Sequence, residues 1–478
     1  MKDNAHKNRT LYPFLLTLLV IGGLAALEFL PRITIEEYEL RKVSLFSDVI
    51  PAPVDSLTFQ EDTLLVAEAE EVSDTLESSR PNAKIEVIAP PGVVAIEDFS
   101  FGTTDEITGH SHGMAHFYEA LANRDNLGRA VRIAYYGDSF IEGDLMTSDL
   151  RAKLQTAYGG SGVGFVDIES PTAGFRASVR TYSRNWLSHS AVDRDGFSTS
   201  KQGIAERHFE PTGNSVVILR GVKQPALHQD SCQESTLFFR LDTPTTITGR
   251  INKEKGEHFR TQPADGIQSL TVSGPISEVT WYVPDSLSGE FYGATMDCPY
   301  GITLDNFSLR GSGGTTLKSI PEATLNDFAR LREYDLVVFQ FGLNVANGNV
   351  QDYSHYVEQM TEVIHKFAQA YPQTSILIVG MSDRGERQNG EVVTMPCVKH
   401  LNRYQRQLAM KTGTCYWNLF QAMGGEGSMG RLVDEEKPAK GNKDYTHINA
   451  HGGKFVAGLL FDAIQAGQQF YDEGREAK

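Results

Sequence analysis

Residues 131–144 read VRIAYYGDSFIEGD, and the interpretation of the whole chain turns on them. Ile133, Ala134, Tyr135 and Tyr136 form an apolar run without polar alternation, the pattern of a strand buried on both faces. Gly137, Asp138 and Ser139 stop it. After Gly143, Leu145, Ala152, Leu154 and Ala157 fit a helix with one buried side, closed by Gly159 and Gly160. A serine between a strand end and a helix start sits on a tight turn with its hydroxyl exposed and backbone N–H groups nearby. That is where an α/β enzyme places a nucleophile. Taken alone, Gly-Asp-Ser reads more readily as a plain turn, so other strand ends must decide.

The same alternation resumes further along. Residues 302–309 predict a strand ending at Arg310-Gly311-Ser312-Gly313-Gly314, with a helix over 323–331. LVVFQF at 336–341 is a continuous apolar strand stopped by Gly342-Leu343-Asn344. Then come a helix (353–371), a strand (375–379), a helix (398–411), a strand (415–419) and a terminal helix (453–466), while a shorter helix at 116–121 leads into the first strand. Buried strands alternating with helices predict a parallel sheet covered on both faces. Between the first two strands the texture differs. Short β-prone runs at 215–219, 236–241, 245–248, 269–272 and 279–283, separated by Gly, Pro, Asp and Ser, predict an inserted β-sandwich. Its aromatics (Trp186, Trp281, Tyr282, Phe291, Tyr292) are expected in core and edge packing rather than on sugar rings.

The chain has 478 residues, with 44 Lys plus Arg against 61 Asp plus Glu and a net charge of -17. That sign argues against a phosphate-backbone partner, which needs a basic face, so no nucleic-acid role is expected. Lys2, Lys7 and Arg9 precede LYPFLLTLLVIGGLAALEFL at 11–30, and Glu36, Glu37 and Glu39 follow it. A helix of that length spans about 30 Å, the thickness of a bilayer core. The expectation is an N-terminal membrane anchor with a cytoplasmic N-terminus and the rest of the chain exported. A cleaved signal peptide is the weaker reading, because Gly23-Leu24-Ala25 makes a poor cleavage site. Residues 46–92 are rich in Pro, Ser and acid, including Asp55, Glu61, Asp62, Glu68, Glu70, Glu71, Asp74 and Glu77, and predict a flexible acidic linker. The expected organisation is anchor and flank (1–45), linker (46–92), α/β domain (93–165), β-rich insert (166–300) and the rest of the α/β domain (301–478). Cys232, Cys298, Cys397 and Cys415 show no zinc-ligand spacing. In an oxidising compartment Cys232–Cys298 and Cys397–Cys415 could pair.

Ser139, the glycines at 311–314, Asn344, and Asp444-Tyr445-Thr446-His447 all fall just past strand ends or beside the last helix, where an open parallel sheet forms its crevice. The chemistry that fits is acyl transfer. Ser139 attacks an ester carbonyl, His447 moves the proton, and Asp444 orients the imidazole. The N–H groups of Ser139 and Gly311 with the Asn344 amide would form an oxyanion hole, where a single donor can be worth ~3 kcal/mol of barrier.

These blocks resemble the SGNH (GDSL-type) hydrolases. Gly137-Asp138-Ser139 looks like the nucleophile block, residues 304–311 like the second strand with its oxyanion glycine, Gly342-Leu343-Asn344 like the asparagine block, and Asp444-x-x-His447 like the acid–base block. The likeness covers about 130–165 and 300–466, outside the insert. Two departures stand: Val345 occupies a position where the pattern has Asp, and Gly313 or Gly314 would serve in place of Gly311 in another strand register. The resemblance implies a flavodoxin-like three-layer fold and ester hydrolysis without a cofactor. It also implies a carbohydrate O-acetylesterase acting on an acylated polysaccharide.

Other readings use the same residues. An O-acetyltransferase would share the acyl-serine, with a membrane partner protein supplying the acyl group, and an inactive glycan-binding or assembly protein would use neither step. A metal site at Asp444, His447 and His451 lacks a third strong ligand motif. His110, His112 and His116 read as a solvated loop. Met423-Gly424-Gly425-Glu426-Gly427-Ser428-Met429-Gly430 reads as a mobile loop near the cleft, without the Gly-Lys-Ser/Thr ending of a phosphate loop. Asp383 and Arg384 follow the 375–379 strand as candidate substrate contacts, with a surface ion pair as the alternative. Asp144 reads as an acidic residue at a helix N-terminus.

Overall fold

A computed structural model of the chain describes residues 84–100, 111–193, 196–223, 229–284, 288–348 and 350–476, besides the short antiparallel pair Thr34–Ile35 with Tyr38–Glu39. Two compact units divide it, Met1–Arg80 and Pro81–Lys478. Residues 11–30 and most of the acidic stretch at 46–92 lie outside the described residues. Among the described residues no helix is long and apolar enough to cross a membrane.

The second unit is built on a six-stranded sheet. In chain order its strands are β1 (Glu97–Asp98), β2 (Val131–Gly137), β12 (Ile302–Ser308), β13 (Leu336–Gln340), β14 (Ser375–Val379) and β17 (Cys415–Trp417). Their order in space is β12-β2-β13-β14-β17-β1, parallel throughout except for the edge strand β1. Counting the parallel strands alone, this is the flavodoxin-like order 2-1-3-4-5, whose direction of winding switches beside β2. Every residue of β13 and β14 is buried, which explains their unbroken apolar sequence.

Helices cover both faces. On one side α1 (Ala115–Ala122), α2 (Thr147–Tyr158) and α8 (Ala450–Glu476) pack with Val131, Ile133, Tyr135 and Leu377. On the other side α3 (Glu322–Leu331) and α4 (Ser354–Ala370) bury Phe328, Val363 and Phe367 against Ala134, Tyr136 and Phe339. The helix α5 (Pro396–Thr412) starts on a proline at its first turn and ends on Gly413 at φ +62°, the start and stop that helix physics favours. The three-layer fold expected from sequence is therefore present.

The segment between β2 and β12 carries nine strands: β3 (Gly164–Val166), β4 (Val179–Ser190), β5 (Arg207–Gly221), β6 (Cys232–Leu241), β7 (Thr245–Ile251), β8 (Glu257–Thr261), β9 (Gln268–Ile276), β10 (Glu278–Val283) and β11 (Gly289–Met296). They form one hydrogen-bonded antiparallel sheet rather than two separate ones, in the order β8-β7-β10-β5-β11-β6-β9, with β4 on β5 and β3 on β11. The sheet curls so that its faces meet. Trp281 on β10 donates its indole N–H to Ser235 Oγ on β6 at 3.1 Å, and a Cβ on Gly249 of β7 would stand 2.7 Å from Val272 of β9. The enclosed core holds Val217, Leu237, Phe239, Ile247, Val272 and Phe291. Trp186, Trp281, Phe291 and Tyr292 are buried, the core role expected for them. The insert is welded to the α/β layers. Asp305 on β12 accepts the Phe165 amide of β3 at 2.8 Å, and buried Arg332 bridges Asp305 and Asp297.

All four cysteines are buried and free, which corrects the two candidate disulfides. Cys232 and Cys298 lie in the β-rich sheet and just after its last strand, and burial pushes both thiols up. His112 is buried, not solvated, with Nδ1 2.9 Å from the Thr374 carbonyl. His116 Nε2 lies 3.0 Å from the Ser111 carbonyl, while His110 falls outside the described residues.

Candidate active site

Three strand ends build the site. Gly137 is the last residue of β2, with Ser308 of β12 on one side and Gln340 of β13 on the other. A side chain there would come within 2.9 Å of the Gln340 carbonyl and of Ile141, so only glycine fits. Asp138 is buried and ties two loops together. Its Oδ1 accepts the Phe140 amide at 2.9 Å, and its Oδ2 accepts the amides of Gly342 and Leu343 at 3.2 and 3.0 Å. Burial pushes its carboxyl up to about 6, against the pull of those three N–H groups. Sequence reading assigned Asp138 no task, because nothing in a tripeptide shows which amides a carboxylate will face.

Ser139 follows on the turn, and its Oγ is 3.0 Å from His447 Nε2. His447 Nδ1 is 2.7 Å from Asp444 Oδ2, while Asp444 Oδ1 accepts the amides of Thr446 and His447 at 3.0 Å each. Partial burial pushes the Asp444 carboxyl up, but these hydrogen bonds outweigh it and hold the group at about 2. It stays ionised at neutral pH and fixes the ring with Nδ1 as the donor and Nε2 facing the serine.

The histidine loop is braced from three sides. Asn442 N donates to the His447 carbonyl at 2.8 Å, Gly385 N donates to the Tyr445 carbonyl at 2.7 Å, and Arg387 Nη2 reaches Tyr445 Oη at 2.7 Å. Gly385 and Arg387 lie on a hairpin, β15 (Gly385–Gln388) and β16 (Glu391–Thr394), whose mixed polar sequence carried no strand signal. Behind the loop, Gly453 lets α8 lie against the Leu145 carbonyl, which a Cβ would meet at 1.7 Å.

Gly311 adopts φ +85° on the loop after β12, with open space where a side chain would stand. Leu309 N on the same loop donates to the Gly137 carbonyl at 2.9 Å, so Gly311 and Ser139 leave adjacent strand ends. Asn344, past β13, donates Nδ2 to the Ser312 carbonyl at 3.2 Å and so joins the loops on either side of Ser139. An amide carries two N–H groups, so this bond uses one of them. Gly313 lies beside Val345, the residue that departs from the expected Asp, and Gly314 caps a 3-10 turn in the left-handed region.

A cleft of about 420 Å³ opens over Ser139 and His447, lined also by Glu142, Thr172, Phe175, Arg310 and Asp444. Thr172 and Phe175 come from the insert, which sequence reading kept outside the site. Asp144 holds that rim. It is a buried hub rather than a helix-end charge, at φ +63°, and accepts from Thr147 and Arg151 of α2 and from Arg176 and Ser178. Although burial opposes it, the two guanidiniums hold its carboxyl well below the usual range.

Asp383 does not face the cleft. It is fully buried, accepting from Thr394 Oγ1 at 2.8 Å, and from Ser428 Oγ and Met429 N at 3.2 and 2.7 Å. Arg384 does not line the cleft either; its Nη1 reaches the carbonyls of Leu343 and Ala346 and steadies the Asn344 loop. Both candidate substrate contacts are therefore corrected to supports. The Gly-rich stretch 423–430 is likewise pinned, since it leads into α7 (Ser428–Asp434), whose Met429 N–H and Ser428 hydroxyl both donate to Asp383. Asp444, His447 and His451 do not gather as a metal-ligand group, whereas His189, His208 and Glu210 in the insert do.

The chain is similar to a solved structure described as "Peptidoglycan O-acetylesterase in action". The match is 22% identical, covers 75% of this chain and 98% of that one, and has a TM-score of 0.63. A family two carbohydrate esterase from Cellvibrio japonicus (8% identical, 62% and 99% covered) and the acyltransferase SsfX3 (14% identical, 59% and 96% covered) match with TM-scores of 0.23 and 0.26, too low to argue from. No protein-family model and no curated protein matches the chain. At this identity the first likeness establishes the fold alone.

Proposed function

We propose that this chain is a serine-dependent carboxylic-ester hydrolase that removes acyl groups, acetyl first among them, from a polysaccharide. The observation that carries the proposal is the Ser139 Oγ to His447 Nε2 to Asp444 relay, placed at the winding switch of a parallel sheet. Ser139 Oγ adds to the ester carbonyl as His447 Nε2 takes its proton. The oxyanion is met by the N–H groups of Ser139 and Gly311 and by Asn344 Nδ2. The tetrahedral adduct expels the sugar hydroxyl, which regains the proton from His447 and leaves an acyl-Ser139 ester. Water, deprotonated by His447, then releases the acid and restores the serine.

A polymeric sugar substrate is supported by the open cleft, by the exposed Phe175 and Arg310 on its rim, and by the likeness of fold to a peptidoglycan O-acetylesterase. We place the enzyme on the outer face of a membrane, with 11–30 as anchor and 46–92 as spacer, on the strength of their composition. The test is acetate release by the full chain, in detergent, from an O-acetylated glycan and from p-nitrophenyl acetate. Wild type should turn over both and Ser139→Ala neither. Failure of the wild type on every ester would overturn the proposal.

A further inference from the structure

Strands β4 and β5 pair so that His189 stands directly across from His208. Side chains alternate along a strand, so Glu210, two residues beyond His208, shares their face. Nδ1 or Nε2 of each histidine and a Glu210 carboxylate oxygen all lie within 4.8 Å of one another. The two imidazoles stack with centroids 4.6 Å apart and planes 17° from parallel, and Phe197 covers His208 at 5.6 Å.

All four ring nitrogens are inaccessible, and none has a hydrogen-bond partner. Buried imidazole nitrogens are strong polar groups, and proteins rarely leave them unpaired. Packing alone would be served as well by two phenylalanines.

We infer that His189, His208 and Glu210 form a binding site for a divalent transition cation, with zinc the best-matched ion, on the β-rich insert and apart from the serine centre. Two imidazoles and a carboxylate are a donor set suited to zinc, with a fourth position left to water. The ligands lie on two adjacent strands, two of them at alternate positions of one strand, so the sheet presents them without a loop rearrangement. The rings turn out of their stack to bring one nitrogen each to about 2.0–2.1 Å from the ion. Glu210 now pairs with Lys201 at 2.7 Å, but Lys201 also contacts Glu290 at 3.0 Å and keeps that partner when Glu210 turns to the metal. Arg240 shares Glu290, so the local cations stay paired.

The cation would cross-link β4 and β5 next to the loop that carries Gln202 and Glu206. Those residues bond to Thr316, just past the Gly311 turn. The experiment is a titration of the full chain, stripped with a chelator, with zinc chloride by calorimetry, together with its thermal unfolding. One site should saturate and raise the melting temperature. His189→Gln and His208→Gln should each weaken binding at least about tenfold, while hydrolysis of p-nitrophenyl acetate persists as proof of folding. His447→Ala should leave the zinc isotherm unchanged. No saturable binding up to about 1 mM zinc, or binding lost in His447→Ala but kept in the two glutamine variants, overturns the inference.

Discussion

Ser139 Oγ and His447 Nε2 meet at 3.0 Å across 308 residues of sequence. Neither side chain is held by the other. Ser139 is set by the Asp138 carboxylate and the glycine that closes β2, and His447 by Asp444 and a loop braced on the β15–β16 hairpin. The contact is therefore preorganised from both sides, which a nucleophile–base pair requires.

Removing either member should abolish the chemistry rather than substrate binding. Ser139→Ala and His447→Ala are expected to lower kcat by about ten-thousand-fold or more, and to leave the melting temperature near that of the wild type. Asp444→Asn should cost less, about a hundred- to ten-thousand-fold, because the ring keeps a partner but loses the charge that favours imidazolium. Steady-state kinetics on p-nitrophenyl acetate decide this, and a single variant with full activity would exclude its residue from the relay.

Asp138 should behave as a positioning residue. Asp138→Ala leaves the Phe140, Gly342 and Leu343 amides without their acceptor and should destabilise the protein by about 1–3 kcal/mol. Asp138→Asn keeps one carbonyl acceptor but sets an NH2 against the N–H groups that the other oxygen served, so it should recover only part of the stability. Chemical unfolding of the two variants separates these outcomes, and equal losses would show that the charge matters rather than the acceptor.

Stability should depend on pH with two opposite signs. Burial raises Asp138 to about 6 and Glu206 to about 7, so the folded state binds more protons than the unfolded chain, in which carboxyls titrate near 4. Their contribution is complete below about pH 4 and declines as the pH rises through 6 to 7. Asp444, held at about 2, contributes above about pH 4 and loses that contribution as the pH falls through 2. Glu206→Gln should therefore flatten the fall in melting temperature between pH 5 and 7. Parallel curves for variant and wild type would remove Glu206 from the explanation.

Phe175 stands 83% exposed on the cleft rim. If it stacks on a sugar ring, Phe175→Ala should raise KM for an acetylated glycan about 3- to 10-fold, the worth of one aromatic contact, and Phe175→Trp should restore it. KM for p-nitrophenyl acetate should not move. An equal change on both substrates would mean a change in the cleft itself.

Asp144 supports that rim from below. Asp144→Asn breaks a buried ion pair and leaves Arg151 without its counter-charge, so the expected loss is about 3–5 kcal/mol. Thermal unfolding checks it, and a loss under about 1 kcal/mol would show that the arginines find other acceptors.

What could be read from sequence follows from how each signal is encoded. Residues 336–340 and 375–379 announce strands because burial on both faces removes every polar residue but Ser375 and Gln340. Asp444 and His447 are legible as a pair because three residues span one turn of chain. Val179–Ser190 is a long strand that sequence missed. Its face turned to solvent carries Arg180, Tyr182 and Arg184, and its inner residues include His189, so neither period stood out. Asp383 and Asp144 were misread for a different reason. An acidic residue past a strand looks the same whether it meets substrate or caps a distant helix, and only the fold supplies the amides and guanidiniums. The rim residues Thr172 and Phe175 carried no signal at all, since their place depends on how the insert returns to β2.

Placing the insert between β2 and β12 has a consequence for assembly. Val131 pairs with Ile302, so the strand that carries the serine gains its neighbour on that side only after the entire β-rich segment has been made. The histidine arrives later still. Pairings this far apart in the chain pay their loop-closure entropy before any contact returns it, and such folds form slowly. During synthesis the serine is exposed in a chain that has no base to activate it. Under the proposed function, hydrolytic power would switch on as one of the last events of folding, which would make ester turnover a direct readout of the completely folded state.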